Sequence, residues 1–231
     1  VMSIGENVRR IREAIAEAAL KAGAKGDITL VAATKTHPPE IIREAIKAGI
    51  SDCGENRVQE MLRKLPLGAY EGARLHFIGH LQKNKVKYVV GEVSLIQSVD
   101  SKELVSLIGE RAKRLGIVQD ILIEVNIGGE ESKSGVSPDR LEELLDFCAA
   151  ESGVFVRGLM TIPPVATENN GNRRYFDQMY KLFVDTGVKK YDNIKMEILS
   201  MGMSADYEEA ILAGSNMVRI GSAIFGPRLV I

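Results

Sequence analysis

The chain alternates between short β-branched, apolar runs and longer segments whose apolar residues recur at helical spacing. Buried parallel strands are typically such continuous apolar runs, as in residues 28–33, and amphipathic helices place apolar residues three or four positions apart. This alternation constrains the fold more than any other feature of the sequence. It predicts strands at residues 28–35, 51–56, 74–80, 94–100, 119–127, 154–162, 195–201 and 217–222.

Eight strands joined by helical crossovers predict an α/β protein with a parallel sheet, and eight is the number that closes a (β/α)8 barrel. An open, doubly wound sheet would show the same alternation, so counting strands leaves it open. Ile4, Val8, Ile11 and Ile15 add a helix before the first strand. We therefore expect residues 1–231 to form a single TIM barrel domain with an extra N-terminal helix.

Polar residues in front of the helical segments predict where several helices begin. Asp100 and Glu103 are placed to cap a helix over residues 102–115. Ser137 precedes a further helix as its expected cap, and a short helix is expected after Asp206.

Composition excludes several classes of protein. Thirty Lys and Arg residues against 31 Asp and Glu give a net charge of −1, so no polycationic arm for nucleic acid is present. The longest uncharged stretch, residues 158–167, is about half of the roughly twenty residues that a membrane helix needs. With no apolar leader, a cytoplasmic location is expected. Cys53 and Cys148 lie far apart, and both are expected in the core.

Ligands of an α/β barrel bind at the carboxyl ends of the strands, so the residues there are the candidates for chemistry. Lys35 ends the first predicted strand and shares a face with Val31 and Ala33. If that face is the barrel interior, desolvation would free the lysine amine as a nucleophile, as a Schiff-base lysine requires. The alternative is an ordinary surface lysine at a strand end.

The last two predicted strands end in small residues that favour an anion site, because backbone N–H groups and hydroxyls can converge there. The candidates are Ser200, Gly202, Gly221 and Ser222, and ordinary turns are the alternative. Arg219 would be a charge inside the barrel mouth and needs a partner. That partner is either the ring nitrogen of a cofactor or a salt bridge with Glu124 or Glu197.

Three histidines, His37, His76 and His80, raise the question of a metal site. His76 and His80 are in phase on one predicted strand, but no acidic residue stands at a recognisable ligand spacing. We therefore expect no metal.

Six runs of residues together resemble one family. The chain is similar to the pyridoxal phosphate homeostasis proteins, single-domain relatives of the N-terminal barrel of alanine racemase, essentially from residue 4 to residue 228. The runs are residues 31–35 (VAATK), 54–60 (GENRVQE), 76–85 (HFIGHLQKNK), 158–160 (GLM), 199–206 (LSMGMSAD) and 219–226 (RIGSAIFG).

The resemblance implies a site for pyridoxal 5′-phosphate (PLP). It implies that Lys35 forms the internal aldimine with PLP and that Arg219 faces the pyridine nitrogen. Ser200, Gly221 and Ser222 match the phosphate site, and the further matching positions are Met201 and Gly202 beside it, Asn56, His80 and Met160 around the ring, and Asn126 with residues 129–135 near the mouth.

Three functions remain open at this stage. The favoured one is a non-catalytic carrier, since an arginine facing the ring nitrogen discourages its protonation and leaves a weak electron sink. A small amino-acid racemase is the alternative, although a two-base racemase needs a second acid/base group, and the related racemases take it from a C-terminal domain expected to be absent here. A sugar-phosphate aldolase using Lys35 is the third. We expect a monomer whose partners are PLP and PLP-dependent apo-enzymes.

Overall fold

The computed structural model describes residues 2–130, 133–165 and 171–226. Within these residues, eight parallel strands form a closed barrel in which each strand pairs with the next and the eighth pairs with the first. The closing pair aligns Val31 with Arg219. The predicted TIM barrel is therefore confirmed, and the open doubly wound alternative is excluded.

The strands and helices alternate along the described chain. The strands are β1 (Thr29–Ala33), β2 (Asp52–Glu55), β3 (Arg74–Phe77), β4 (Leu95–Val99), β5 (Gln119–Glu124), β6 (Val154–Met160), β7 (Ile194–Ser200) and β8 (Met217–Ile220). The α-helices are α1 (Ile4–Ala22), α2 (Pro39–Lys47), α3 (Val58–Lys64), α4 (Lys102–Leu115), α5 (Leu141–Ala149), α6 (Arg173–Gly187), α7 (Tyr207–Leu212) and α8 (Ser222–Phe225). Short 3₁₀ helices span Leu65–Leu67, Lys83–Tyr88 and Pro138–Arg140.

The extra N-terminal helix is α1, as predicted. The side chain of Ser3 accepts a hydrogen bond from the backbone N–H of Glu6, whose carboxylate accepts one from Ser3 in return. This reciprocal cap satisfies two N–H groups that a helix start leaves unpaired. The buried stripe of α1 packs against α7 and α8, and the Asn7 amide donates to the Ile224 carbonyl across 2.9 Å.

One predicted helix cap is wrong, and a second residue takes the cap position without making the side-chain bond. Ser101, not Asp100, caps α4 by accepting the N–H of Leu104, because it is the residue directly before the first turn. Asp100 instead accepts the N–H of Gly135 from the loop after β5. The side chain of Ser137 makes no capping bond; it precedes the 3₁₀ turn, and α5 begins only afterwards. The start of α7 after Asp206 is confirmed.

The barrel has two apolar cores because side chains alternate across each strand. The smaller core fills the barrel interior, and the larger lies between the sheet and the helices. Cys53 and Cys148 are fully buried in the larger core, as predicted, and burial raises the pKa of both thiols to about 12. The interior core consists of Val31, Leu95, Leu122, Met160 and Met217, with Ile162 and Ile198 beside it.

None of the helices in the described part of the chain is both long and apolar enough to cross a membrane.

Candidate functional site

A cleft of about 290 Å³ opens at the carboxyl ends of β1 and β8. This is near the lower limit of ordinary small-ligand pockets, roughly 300–1,000 Å³. Four of the ten predicted site residues line it together: Lys35, Arg219, Gly221 and Ser222. The other lining residues are Ala33, Thr36, His37, Met203, Ser204, Ala205 and Gly226.

Lys35 enters this cleft from the turn that follows β1. Val31 lies in the interior core and Ala33 lines the cleft, so the strand face expected to lead to Lys35 is the barrel interior, and Lys35 lines the same cleft from the turn. The strand stops at Ala33, two residues earlier than predicted, because the N–H of His37 turns back to the Thr34 carbonyl. Lys35 is half-buried and therefore partly withdrawn from water.

Hydroxyl and backbone groups from the ends of β7 and β8 line the same cleft. Ser204 Oγ lies 3.2 Å from the N–H of Gly221 and 3.4 Å from that of Ala223, which fixes the hydroxyl beside Ser222. Two hydroxyls and a residue without a side chain leave room for an oxyanion. Ser204 was not among the predicted site residues, although it stands in the run that ends the seventh strand.

Arg219 lies in the barrel mouth and is 4% exposed. Its Nη1 donates to Ser200 Oγ at 2.6 Å and its Nη2 to the Thr161 carbonyl at 2.9 Å. Burial lowers the pKa of Arg219 to about 10, against the opposite effects of Glu124 and Asp206, so the guanidinium remains charged at neutral pH.

Neither expected salt bridge to Arg219 forms. Glu197 instead pairs with Arg157 at 3.3 Å and with Lys195 at 2.5 Å. Glu124 acts on Arg219 electrostatically, without a direct bond between them in the described residues. Burial, followed by the negative charge of Asp100, raises the pKa of Glu124 to about 7 although Arg219 lowers it. Glu124 is therefore a buried carboxyl that titrates near neutral pH and acts electrostatically on Arg219.

A chain of buried hydrogen bonds continues behind Arg219. Ser200 Oγ donates to Gln97 Oε1 at 2.6 Å, and Gln97 Nε2 lies 2.9 Å from His76 Nδ1. Since an amide nitrogen only donates, Nδ1 accepts and His76 Nε2 carries the proton, 3.0 Å from Asp52 Oδ1. Burial would raise the pKa of Asp52, but hydrogen bonds from His76 and other donors bring it down to about 2.

These hydrogen bonds explain why Ser200 does not line the cleft. Its hydroxyl is fully buried and already has two partners, Gln97 and Arg219, so it orients the guanidinium. The hydroxyl that lines the cleft at this end of β7 is that of Ser204. Met201 faces the other way, into the larger core. Gly202 has φ of +98°, and a Cβ there would lie 2.7 Å from that of Ala210, so it allows α7 to pack closely.

The remaining predicted residues lie at the same end of the barrel but do not line the cleft. Asn56 follows β2, and its buried Oδ1 has no hydrogen-bond partner among the described residues. Met160 belongs to the interior core beneath the mouth. His80 is exposed, and its Nδ1 lies 3.2 Å from Ser134 Oγ.

The segment near the mouth is described only in part. Asn126 Nδ2 donates to the Glu130 carbonyl at 2.8 Å, and Lys133 Nζ donates to the Pro163 carbonyl at 3.1 Å. Glu131 and Ser132, which complete the predicted loop, lie outside the described residues, as does Arg228.

Comparison with known proteins agrees with this geometry. Residues 2–228 match the family described as alanine racemase, N-terminal domain. The chain belongs to the alanine racemase N-terminal domain family. A relative from Aquifex aeolicus (strain VF5), named pyridoxal phosphate homeostasis protein, is 46% identical over 229 residues, which cover 98% of this chain and 99% of the relative.

Two solved structures with similar folds can also be compared with this chain. PipY of Synechococcus elongatus PCC7942, solved with PLP bound, has a TM-score of 0.80 at 30% identity, covering 94% of this chain and 100% of PipY. Alanine racemase of Clostridium difficile 630 has a TM-score of 0.72 at 18% identity, covering 96% of this chain and 57% of the racemase. The racemase thus shares the barrel fold.

Proposed function

We propose that this protein binds PLP and takes part in its intracellular homeostasis as a carrier. The observation that supports this most is that Lys35, Arg219 and the hydroxyls of Ser204 and Ser222 line one cleft. An amine, a cation and an anion site in one cleft match the aldehyde, the ring nitrogen and the phosphate of PLP. The name of the Aquifex aeolicus relative and the PLP-bound structure of PipY point the same way.

Each group has a distinct role in the proposed carrier. Ser204, Gly221 and Ser222 hold the phosphate, and the amine of Lys35 holds the aldehyde carbon covalently. Arg219 faces the pyridine nitrogen. Asn56 supplies a polar group to the ring, in keeping with the unpaired state of its buried oxygen. Ser200 orients Arg219 by accepting its hydrogen bond and does not contact the phosphate.

The charge on Arg219 favours a carrier over a catalyst. A guanidinium that keeps its proton at neutral pH opposes a second positive charge on the ring nitrogen facing it. An unprotonated ring withdraws electrons weakly, so carbanion chemistry at the bound aldehyde gains little. A two-base racemase also needs an acid/base group opposite the lysine, and among the described residues no tyrosine lines the cleft.

The test is covalent capture by purified protein. PLP added to the protein should give a yellow species that borohydride bleaches, and mass spectrometry should then locate the added mass on Lys35. Lys35→Ala should stay colourless and unmodified while remaining folded. Modification at another lysine, or no uptake at all, would refute the proposal.

The same sample separates the carrier from the two enzymes. The carrier leaves the optical rotation of alanine or serine unchanged and does not cleave sugar phosphates. Racemisation that is lost in Lys35→Ala would establish the racemase instead. A colourless protein that rejects PLP but forms a borohydride-trapped adduct with a sugar phosphate would establish the aldolase.

The proposal extends to assembly and partners. We expect a monomer in the cytoplasm that passes PLP to PLP-dependent apo-enzymes. Sedimentation of the PLP-loaded protein should give a mass near the 25.3 kDa of one chain. Transfer should activate an added apo-enzyme faster than PLP released into solution does.

A further inference from the structure

A cluster of buried charges lies behind the turn that carries Lys35, outside the cleft. Lys64, at the end of α3, places its Nζ 2.7 Å from Glu55 Oε1 and 2.7 Å from Glu60 Oε1. All three side chains are largely or fully buried. Burying charges is costly unless they are paired and hydrogen-bonded, so the partners of this cluster show what it holds in place.

The cluster holds the residue on each side of Lys35. Before it, Thr34 Oγ1 donates to Glu55 Oε1 at 2.7 Å, and the Thr34 carbonyl accepts from Lys64 Nζ at 2.9 Å. After it, the N–H of Thr36 donates to Glu60 Oε1. Lys64 and Glu60 therefore hold the two peptide units that flank Lys35, and Glu55 holds the Thr34 hydroxyl.

Thr36 has an unusual backbone conformation, and these contacts hold it in place. Thr36 has φ of +66°, in the left-handed region, and it is the single non-glycine residue with positive φ among those described. A β-branched residue adopts that conformation only where its surroundings impose it, at a cost of roughly 1–3 kcal/mol. Glu60, by accepting the Thr36 N–H, supplies the contact that does so.

From this geometry we infer that Lys64, Glu55 and Glu60 are positioning residues for Lys35. They fix the turn that aims its amine into the cleft. The inference rests on the proposed function, in which the neutral amine adds to the aldehyde carbon, a C=N bond forms and the carbonyl oxygen leaves as water. No oxidation or reduction occurs in that step. Because it joins two groups held in one cleft, its rate depends on the placement of the amine.

A purely structural ion cluster is the alternative, and two ligands separate it from the positioning role. PLP carries the aldehyde that Lys35 attacks. Pyridoxine 5′-phosphate has an alcohol in its place, so it fills the same cleft and cannot bond to the lysine. Loss of positioning slows only the covalent capture of the PLP aldehyde, whereas a loosened barrel weakens the binding of both ligands.

The variant to measure is Glu60→Ala, which removes the acceptor of the Thr36 N–H and leaves Lys64 paired with Glu55. Imine formation, followed by absorbance after mixing with PLP, should slow by about ten- to a hundredfold. The Kd for pyridoxine 5′-phosphate should stay within about twofold of wild type, which is about 0.4 kcal/mol. Glu60→Gln keeps an acceptor oxygen and should recover most of the rate.

Gln59→Ala is the matched control, since Gln59 is exposed on the same helix and should behave as wild type. Thr34→Val, which removes the hydroxyl bonds to Glu55 and to the Gly54 carbonyl, should slow capture in the same selective way and serves if Glu60→Ala does not fold. Wild-type capture rates in both variants, or parallel losses for the two ligands, would overturn the inference. Failure of wild-type protein to form an imine at Lys35 would overturn the proposed function instead.

Discussion

At the scale of single residues, two serines four positions apart have different surroundings. Ser204 lines the cleft and meets the N–H groups of Gly221 and Ala223. Ser200 is fully buried and bonded to Gln97 and Arg219. The two hydroxyls should therefore contribute to different properties, one to ligand affinity and the other to the order of the barrel interior.

Alanine substitution of each serine tests this division. Ser204→Ala should weaken the binding of pyridoxine 5′-phosphate by about ten- to a hundredfold, because a hydrogen bond to a charged group contributes roughly 1.5–3 kcal/mol. Ser200→Ala should lower the free energy of unfolding by about 1–3 kcal/mol, since it leaves buried partners unpaired. Calorimetric titration and urea unfolding of both variants measure the two effects. An affinity loss confined to Ser200→Ala would contradict this assignment.

Glu124 should make stability depend on pH. Burial raises the pKa of its carboxyl from 4.5 to about 7, so the folded protein binds more protons than the unfolded chain between these values. Stability should then fall as pH rises through that window, by up to about 3 kcal/mol. Asp52 has its pKa lowered to about 2 and titrates below this window.

Glu124→Gln should remove this dependence, because the amide does not titrate. Urea unfolding at pH 5, 6, 7 and 8 should show a flatter profile for the variant than for wild type. Glu197→Gln is the control, since Glu197 is paired with Arg157 and Lys195 at the surface. An unchanged slope in Glu124→Gln would show that another group carries the pH response.

At the scale of elements, the junction between β7 and α7 depends on Gly202. Its φ of +98° suits glycine, and an added Cβ would meet Ala210 Cβ at 2.7 Å and Tyr207 Cα at 2.9 Å. Gly202→Ala should cost about 2–4 kcal/mol of stability, from backbone strain and overpacking together. Gly116→Ala, with φ of +69° and open space around it, should cost only about 1–2 kcal/mol. Equal losses in urea unfolding would contradict the packing argument.

The strands themselves were predictable from sequence because a parallel barrel buries both faces of each strand. Continuous apolar runs such as residues 30–33 of β1 therefore mark them clearly. The ends were less predictable because they depend on tertiary contacts. Gly79 lies where an added Cβ would meet the Asn56 carbonyl at 2.1 Å, and β3 stops at Phe77, three residues before the predicted end.

The candidate site followed the same division. The positions of Lys35, Arg219, Gly221 and Ser222 follow from strand order, because all four stand at the carboxyl ends of β1 and β8, and the cleft contains all four. The sequence did not predict that Ser204, rather than Ser200, lines the cleft. Ser200 is held away from it by its hydrogen bond to Gln97, 103 residues away in the chain. No local pattern in the sequence encodes a partner at that distance.

At the scale of the whole molecule, the cleft lies across the seam where the first and last strands close the barrel. Its lining comes from residues 33 and 35–37 at the end of β1, from residues 203–205 after β7, and from residues 219, 221, 222 and 226 at and after β8. This side of the barrel is also lightly paired, since β7 and β8 align through one pair, Ser200 with Met217. A ligand in the cleft therefore links the two ends of the fold.

Ligand binding should stabilise that seam more than the rest of the barrel. Pyridoxine 5′-phosphate at a hundredfold its Kd should raise the free energy of unfolding by about 2.7 kcal/mol, because it binds only the folded state. Hydrogen exchange followed by mass spectrometry should slow most in β1 and β8. Exchange in β4 and β5, on the far side of the barrel, should change little under native conditions. Protection spread evenly over all eight strands would mean that the ligand stabilises the barrel as one unit rather than at its closure.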